Sequence, residues 1–528
     1  MRILILLLAS LLLFSCARKG MITGGPIDSL PPVLKYSEPK NSSVNFNAKE
    51  IKLYFDEYVK LKDVNKQLIV SPPMNTAPEI TPMAASKTIS IKLKDTLLPN
   101  TTYSLNFGQS IQDNNEGNPF SQFTYLFSTG TYIDSLEVGG SMKDAFGMKP
   151  DNFVSILLYE FNDTYTDSII FKEKPLYVTN TLDSSVQFRL KNLKEGTYKL
   201  FALKDKNNNY KFDPKTEKIG FIDEPIQVPT TETFQINLFQ EELPFKPSRA
   251  IQSTQHKLWL GYEGNPKEAK IVVRQDDKDI PVKLTQETNK DSIQIWLPKE
   301  VTDSLKVLVN FNEKESVYKI KHRKMKADTL SISSLTGGIL HFRDEFKLKS
   351  TIPLKNIDTE KISIIKSDSS LVAFKHQYDE WLQEIKFDFE REPSEKYSMT
   401  LLNEALTDIY EKTNDSLKFT FSTRKLSDYG NLTLNLVGVS SYPLIVDLTD
   451  NKGKLLATQY VEKEGPIEFK LLQPALFTVR LIYDTNKNKI WDTGNYLQKV
   501  QPEVVIYLQK PIDVRANWDV TETITIRN

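Results

Sequence analysis

One loop motif occurs twice in this sequence, and it restricts the possible folds more than any other feature. The pattern is D-x-N-x-N-x-x-aromatic-D, and it spans residues 205–213 and again residues 484–492. An apolar run rich in β-forming residues precedes each copy, as expected for a strand that leads into a polar loop. The chain therefore carries a duplicated unit built from β-strands.

Short β-forming runs separated by turn residues also fill the rest of the chain. Early examples lie at residues 51–55, 103–107 and 123–127. Runs of this length and spacing are typical of β-sandwiches. We therefore expect an all-β fold of tandem β-sandwich domains, with far less helix than an average soluble domain.

A second, weaker repeat relates residues 331–424 to residues 32–130. Residues 342–346 match the segment that begins at Phe55, and the run at residues 419–423 matches the last β-forming run of the earlier segment. The displacement is close to that between the two loop motifs. One duplicated two-domain block explains both repeats.

The first residues have the layout of a bacterial secretion signal. An apolar run from Ile3 to Phe14 is too short to cross a bilayer, which needs about 20 residues. The run ends at Ser15-Cys16, and Cys16 is the only cysteine in the chain. This junction resembles a bacterial lipobox, although Phe14 is bulkier than that pattern prefers. The resemblance implies that residues 1–15 are removed and that acylated Cys16 anchors the protein in membrane lipid.

The sequence after Cys16 bears on the location. Residues 16–31 are rich in glycine and proline, as in a tether between an anchor and a folded domain. No aspartate follows Cys16, unlike in the inner-membrane retention signal of enterobacterial lipoproteins. The acidic cluster of surface-exported Bacteroidetes lipoproteins is also missing. These comparisons favour an outer-membrane lipoprotein that faces the periplasm rather than the cell surface.

The charge balance bears on the class of partner. The chain has 68 Lys and Arg residues and 68 Asp and Glu residues, so its formal net charge is +0. Proteins that bind nucleic acid normally show a basic patch or a high isoelectric point. We therefore expect no nucleic-acid partner.

The motifs of residues 32–130 resemble a known family. In chain order they are Glu38-Pro39-Lys40-Asn41, Tyr54-Phe55-Asp56-Glu57-Tyr58-Val59, Leu98-Pro99-Asn100-Thr101-Thr102-Tyr103 and Phe127-Ser128-Thr129-Gly130. Together they resemble the SbsA-type bacterial Ig-like domain found in Bacteroidetes lipoproteins. The resemblance implies an Ig-like sandwich without catalytic residues, and residues 331–424 then form a degenerate Ig-like copy.

Residues 131–245 and 425–528 resemble a second kind of sandwich. The order G-x-Y-x-L-x-A-x-x-D-x-N at residues 196–207 is similar to prealbumin-like or collagen-adhesin B-type domains, in which a strand delivers a loop to the domain end. In the second copy, Pro474-Ala475-Leu476-Phe477 replaces the Gly-x-Tyr entry. Between the two blocks, β-forming runs in residues 246–330 predict a further β-domain, to which we assign no family.

The two loop motifs are the candidate metal sites. Ca²⁺ takes clustered oxygen ligands, and an EF-hand-type loop supplies them at positions 1, 3, 5, 7, 9 and 12. Positions 1, 3, 5 and 9 are filled in both copies, by Asp205, Asn207, Asn209 and Asp213 and by Asp484, Asn486, Asn488 and Asp492. Position 6 is Tyr210 or Lys489 instead of glycine. Position 12 is Thr216 or Asn495 instead of glutamate, with Glu217 adjacent in the first copy. Plain Asx-turns are the open alternative.

Few residues carry the spacing of an enzyme. The four histidines show no H-E-x-x-H pattern, and Ser110 lacks the closing glycine of a nucleophile elbow. The repeated carboxylates Asp56-Glu57 and Asp344-Glu345 are more simply solvated strand ends than a glycosidase pair. We expect a non-enzymatic, lipid-anchored envelope protein, a rod of Ig-like modules that binds or positions an envelope protein or a polysaccharide. The alternative is a carbohydrate-active enzyme, or its accessory subunit, at the outer membrane.

Overall fold

The computed structural model describes residues 28–181, 186–288, 290–301 and 304–526. Residues 1–15 and Cys16 lie outside the described residues, so the signal and the anchor stay predictions. Within the described part, the regular structure consists of β-strands, the single-turn helices α1 (Val64–Gln67) and α2 (Ile169–Lys172), and short 3-10 turns at Thr359–Lys361 and Leu426–Asp428. None of these helices is long and apolar enough to cross a membrane. The expectation of an all-β fold of tandem sandwiches is confirmed.

We number the modules one to five by their sequence bounds, 32–130, 131–245, 246–330, 331–424 and 425–528. The strands of module 1 are β1 (Leu34–Glu38), β2 (Glu50–Leu61), β3 (Ile69–Ser71), β4 (Glu79–Thr81), β5 (Ser86–Lys92), β6 (Thr102–Asn106), β7 (Ile111–Asp113) and β8 (Thr124–Ser128). One sheet has the order β1-β2-β5-β4 with β7 also on β2, and the other has the order β3-β6-β8. Alternation along β2 buries Ile51, Leu53 and Phe55 between the two sheets.

Module 2 has one mixed sheet and one antiparallel sheet. Its strands are β9 (Leu136–Asp144), β10 (Ser155–Glu160), β11 (Tyr177–Asn180), β12 (Gln187–Leu193), β13 (Gly196–Leu203), β14 (Ile219–Phe221), β15 (Ile226–Val228) and β16 (Thr233–Leu238). The antiparallel sheet has the order β11-β10-β13-β14, with β15 also on β13. The other sheet has the order β12-β9-β16, and β16 runs parallel to β9.

Module 3 consists of two four-stranded sheets. Its strands are β17 (Lys246–Thr254), β18 (Lys257–Glu263), β19 (Lys270–Gln275), β20 (Lys278–Ile280), β21 (Lys283–Gln286), β22 (Ser292–Trp296), β23 (Ser304–Phe311) and β24 (Lys314–Lys321). The sheet orders are β17-β18-β22-β21 and β20-β19-β23-β24. Leu258, Leu260, Ile295 and Val307 lie in the core between them.

Module 4 repeats the strand order of module 1. Its strands are β25 (Ile332–Ser334), β26 (Phe346–Ser350), β27 (Leu354–Ile357), β28 (Ile362–Ile365), β29 (Phe374–Asp379), β30 (Glu384–Phe389), β31 (Lys396–Leu401), β32 (Leu406–Asp408) and β33 (Leu417–Ser422). The orders β25-β26-β30-β29 and β28-β31-β33 match the two sheets of module 1. The long β2 corresponds to β26 and β27 together, because β27 pairs with β32 as β2 pairs with β7.

Module 5 repeats the strand order of module 2. Its strands are β34 (Gly430–Val437), β35 (Leu444–Thr449), β36 (Leu455–Val461), β37 (Ile467–Leu472), β38 (Ala475–Tyr483), β39 (Val505–Tyr507), β40 (Ile512–Val514) and β41 (Asp519–Thr525). The orders are β36-β35-β38-β39, with β40 on β38, and β37-β34-β41, with β34 and β41 parallel. The repeated block predicted from the loop motifs is therefore visible in the topology.

The modules do not form the linear rod that the sequence suggested. The outer face of module 2 is covered by side chains of module 5, among them Tyr496 and Trp491, although residues 246–424 separate the two modules in the chain. A linear succession of modules would keep these surfaces apart. The chain instead folds back so that the two members of the duplicated pair are in contact.

Candidate functional site

The two loop motifs leave equivalent strands and close in the same way. The first follows β13 and the second follows β38. Asp205 Oδ2 accepts a hydrogen bond from the Tyr210 N–H at 2.7 Å, and Asp484 Oδ2 accepts one from the Lys489 N–H at 2.9 Å. Tyr210 and Lys489 have φ values of 57° and 67°. This is the left-handed conformation that glycine adopts most easily, and it occurs at the position where an EF-hand loop has glycine.

A buried glutamate outside the motif holds the first loop together. Glu217 is 0% exposed. Its Oε1 atom accepts a hydrogen bond from the Lys206 N–H, and its Oε2 atom accepts one from the Asp213 N–H, both at 2.9 Å. Burial raises the pKa of the Glu217 carboxyl, and these backbone donors oppose the rise. One carboxyl group thus fixes positions 2 and 9 of the motif.

Glu503 has the same role in the second loop. Its Oε1 atom accepts a hydrogen bond from the Thr485 N–H at 2.6 Å, and its Oε2 atom accepts one from the Asp492 N–H at 3.2 Å. Glu217 lies close to the first motif in the sequence, whereas no sequence signal pointed to Glu503. The segments that separate the two glutamates from their motifs differ in length, so no common spacing marks them.

The second loop brings three of its four predicted ligands together. The Nδ2 atoms of Asn486 and Asn488 each donate a hydrogen bond to Asp492 Oδ2 at 2.7 Å. Asp484, the fourth, is 1% exposed and accepts the backbone N–H groups that close the turn. Asp492, at position 9, therefore accepts hydrogen bonds from both asparagine side chains.

The first loop arranges the same four positions differently. Asn207 Nδ2 donates a hydrogen bond to Glu217 Oε1 at 3.2 Å, and Asn209 Oδ1 accepts one from the backbone N–H two residues later at 2.7 Å. Asp213 Oδ2 accepts a hydrogen bond from the Thr216 hydroxyl at 3.1 Å. Asp213 is thus hydrogen-bonded to the turn that follows the motif. In this loop it is Glu217 that accepts hydrogen bonds from several motif residues.

The candidate metal ligands are a mixture of carboxylates and amides. In the part of the chain that the structure describes, no group of three or more His, Cys, Asp or Glu side chains could hold a metal ion. Half of the eight predicted ligands are asparagines, which such a group does not include. The hydrogen bonds seen are those of Asx-turns, and the same oxygen atoms are of the kind that Ca²⁺ takes.

The chain that follows the second loop docks onto module 2. We call residues 493–501 the clasp. Its Tyr496 is 0% exposed, and the Tyr496 ring centroid lies 5.2 Å from those of both Phe201 and Phe221. The Tyr496 hydroxyl donates a hydrogen bond to Asp167 Oδ1 at 3.1 Å. Tyr496 therefore belongs to the core of a module other than its own.

Asp167 is the polar partner of the clasp. Lys499 Nζ lies 2.7 Å from Asp167 Oδ1, and the Tyr165 hydroxyl lies 3.1 Å from that of Tyr496. Burial alone would raise the pKa of Asp167, but hydrogen bonds from Lys499, Tyr496 and Tyr165 outweigh it and hold the pKa below its usual value. The carboxylate is therefore charged at neutral pH and keeps its partners.

Gly494 allows the clasp to lie directly on module 2. A Cβ atom at this position would lie 2.6 Å from Phe239 Cζ and 2.7 Å from the Val500 carbonyl oxygen. The neighbouring Thr493 Oγ1 donates a hydrogen bond to the Gln240 carbonyl at 2.6 Å. Any larger residue at 494 would push the clasp away from module 2.

Phe146 of module 2 makes the other half of the interface. Its ring centroid lies 4.6 Å from that of Trp491 and 4.3 Å from the Arg480 guanidinium carbon. The Tyr507 hydroxyl donates a hydrogen bond to the Phe146 carbonyl at 2.9 Å. Trp491 is the aromatic residue of the second loop motif, so the motif itself contributes to the contact.

A buried ion pair lies under this contact. Arg480 Nη2 and Nε donate to Asp447 Oδ2 at 2.6 and 3.0 Å, and the two side chains are 6% and 4% exposed. Burial alone would lower the pKa of Arg480, but its hydrogen bonds to Tyr507 and Asp447 outweigh this and raise it. Arg480 therefore stays charged within the module 2–module 5 interface.

The strand sequences of module 2 explain why the outer face of its antiparallel sheet is buried by another module. Residues 155–159 of β10 and residues 198–203 of β13 are buried without alternation. A sheet with one face in water normally alternates apolar and polar residues. Leu157, Tyr159 and Phe201 face away from the module core and pack in the cluster that contains Tyr496. The continuous apolar runs could have signalled this second layer from sequence.

The residues weighed as catalytic candidates have ordinary partners. Ser110 is buried, and its hydroxyl donates to the Phe107 carbonyl at 2.7 Å. Asp56 Oδ1 accepts the Val33 N–H at 2.8 Å and so ties the residue before β1 to β2. Lys347 lies 3.7 Å from Glu345. These contacts are structural ones.

Two family models match parts of the chain. Residues 28–129 match the model of a bacterial Ig-like domain. Residues 151–244 match the model of a family described as an uncharacterized protein conserved in bacteria. The first match supports the Ig-like prediction and with it a structural or binding role. The prealbumin-like assignment stays a prediction. No curated protein matches the chain.

Several solved structures are similar to this chain at low identity. The SGBP-B protein of a Bacteroides ovatus mixed-linkage glucan utilization locus, in complex with a mixed-linkage heptasaccharide, is 12% identical, with 71% of this chain and 93% of that chain covered and a TM-score of 0.18. The S-layer protein SbsC is 11% identical, with 92% and 67% covered and a TM-score of 0.15. BcpA, the major pilin subunit of Bacillus cereus, is 12% identical, with 74% and 99% covered and a TM-score of 0.14. At such scores the likeness carries no argument about function.

Proposed function

We propose that this chain is a non-enzymatic, lipid-anchored envelope protein whose five β-modules form a closed scaffold for binding. The clasp carries the proposal, because it buries Tyr496 of module 5 inside module 2. Modules joined only by linkers move relative to one another by default, and a buried apolar interface removes that freedom. A fixed arrangement suits a protein that presents a binding surface built from more than one module.

The anchor completes the proposal. Cys16 resembles the acylated cysteine of a lipobox, and the segment after it is rich in glycine and proline, as in a tether. Acylation would hold the scaffold at the outer membrane, and the absence of an acidic export cluster favours the periplasmic side. An envelope protein or a polysaccharide is the expected partner.

Changing Cys16→Ser should release the protein from the membrane. A serine cannot accept the lipid, so the variant should move from the outer-membrane fraction to the soluble periplasm or stay joined to its signal. Fractionation and labelling of cells with a palmitate analogue measure both effects. Ser15→Ala keeps the cysteine and is the matched control. A Cys16→Ser variant that still sediments with outer membranes would show that lipid is not the anchor.

Calcium binding at the two loop motifs is the second part of the proposal. It involves Asp205, Asn207, Asn209 and Asp213 in one loop and Asp484, Asn486, Asn488 and Asp492 in the other. The motivation is that both copies close over the first aspartate with the same left-handed turn and gather a further carboxylate, Glu217 or Glu503. Few charged ligands imply a dissociation constant of about 10⁻⁴–10⁻³ M, as in extracellular modules.

Millimolar Ca²⁺ should raise the melting temperature of the protein, because an ion that binds only the folded state stabilises that state. Calorimetric titration and thermal melts in Ca²⁺ against EDTA measure this effect. Asp205→Ala combined with Asp484→Ala should abolish the shift. Asp388→Ala should keep it, because Asp388 is the exposed residue of the otherwise largely buried β30. If the parent shows neither heat nor shift, the loops are plain Asx-turns.

A further inference from the structure

A groove with a volume of about 580 Å³ runs along the junction of modules 1 and 2. Ser71 of β3 and Ser104 of β6 lie on its module 1 side, and Val178 of β11 and Arg189 of β12 lie on its module 2 side. Binding sites for small molecules typically have volumes of about 300–1,000 Å³. The groove is therefore large enough for several linked sugar or amino-acid units.

Direct contacts between the two modules fix the shape of this groove. The Val178 N–H donates a hydrogen bond to Ser71 Oγ at 3.0 Å, and the Thr102 hydroxyl donates one to Asp134 Oδ2 at 2.7 Å. Ser71, Thr102 and Asp134 are all buried. These bonds lie beside the groove or at the same junction, so they fix the distance between its module 1 wall and its module 2 wall. The groove is therefore formed before a ligand binds.

The lining of the groove is mostly polar and uncharged. Most of its side chains are Asn, Gln, Ser or Thr, and none is Asp or Glu. Amide groups donate and accept hydrogen bonds at once, as do hydroxyl groups. The lining has two cationic side chains: Arg189 pairs with Glu137 at 3.1 Å, and Lys191 is exposed. The groove thus offers mainly neutral donors and acceptors beside one exposed cation, Lys191.

We infer that the groove binds a neutral, hydroxyl-rich oligosaccharide. Sugar hydroxyls both donate and accept hydrogen bonds, so they complement amide and hydroxyl side chains without a charged partner. A site for an anionic strand would present several unpaired cations, and a site for a cationic peptide would present carboxylates. The inference deepens the proposed binding role and rests on it.

The test uses the full-length protein extracted from membranes in detergent. Binding is measured by calorimetry with cellohexaose, laminarihexaose, maltohexaose and mannohexaose, with oligogalacturonate as the charged probe and an unstructured hexapeptide as the peptide probe. We expect at least one neutral hexasaccharide to bind and the charged and peptide probes not to bind. Binding restricted to oligogalacturonate or to the peptide, or no binding of any probe, would overturn the inference.

Two substitutions locate the site. Gln109→Ala in module 1 and Thr179→Ala in module 2 remove one polar side chain from each wall. Together they should weaken oligosaccharide binding at least tenfold, whereas Gln377→Ala on exposed β29 should leave it unchanged. Circular dichroism and thermal melts show that each variant is folded. Unchanged affinity in the folded double variant would place the sugar elsewhere and overturn the inference.

The same experiment separates this inference from the proposed function. Release of shorter sugars from a bound hexasaccharide would contradict the non-enzymatic role and leave the groove as the binding site. Loss of the membrane anchor or of the clasp would contradict the scaffold without changing sugar affinity at the module 1–module 2 junction.

Discussion

Replacing Tyr496 by alanine should lower the free energy of unfolding by about 3–5 kcal/mol, the usual cost of truncating a large buried aromatic side chain. The ring is 0% exposed and packs against Phe201 and Phe221 of module 2. Its loss leaves a cavity between the modules and removes the hydrogen bond to Asp167. Module 5 should then separate from module 2, and the outer face of β10 and β13 should become exposed.

Three measurements check this expectation. Small-angle scattering should give a larger radius of gyration, trypsin should cleave faster at Lys499, and the thermal transition should move down. Tyr496→Phe keeps the ring and loses only the hydroxyl, so it should cost about 1 kcal/mol. Tyr132→Ala, whose side chain is 62% exposed, should change stability by less than about 0.5 kcal/mol. Equal scattering and melting for Tyr496→Ala and the parent would mean that the clasp does not hold the modules.

Changing Asp447→Ala should also cost about 3–5 kcal/mol, because it leaves the buried Arg480 guanidinium without its carboxylate. The two side chains are 4% and 6% exposed, so water cannot replace the lost partner. Arg480 also lies against Phe146 of module 2. The substitution should therefore destabilise module 5 and weaken its contact with module 2 together, as measured by thermal unfolding and by scattering.

The matched control replaces both partners by apolar residues of similar size. Asp447→Leu combined with Arg480→Met removes the uncompensated charge, and such replacements are often neutral or stabilising. The double variant should therefore melt closer to the parent than Asp447→Ala does. If the double variant is the less stable of the two, loss of the Arg480 packing outweighs the buried charge and the explanation is wrong.

Local patterns in the sequence predicted the parts of the structure that depend on neighbouring residues. The repeated loop motif predicted the duplication, and modules 2 and 5 have the same strand order. The comparison with a calcium loop marked Tyr210 and Lys489 as positions that favour glycine, and both have a positive φ. These features follow from short-range chemistry: β-forming runs make strands, and Asp and Asn side chains close turns on nearby backbone.

Contacts between distant segments were not predicted. Glu503 was missed because it reaches the second loop from beyond the clasp, at a different spacing from that of Glu217 in the first loop. The motif shows only that an aromatic residue, Trp491, precedes the last Asp of the second loop, whereas the structure places its ring on Phe146. The groove at the module 1–module 2 junction also joins side chains that no single motif contains.

The sequence by itself determined the all-β class, the Ig-like first module and the duplicated loops, because each depends on residues within one strand or turn of each other. Only the tertiary structure decided that module 5 closes onto module 2, so that the chain is not a linear rod. Burial of Tyr496 depends on the shape of a face built from β10, β13 and β14. An apolar run shows that a surface needs a cover, but which distant segment covers it is set by how well the two shapes pack.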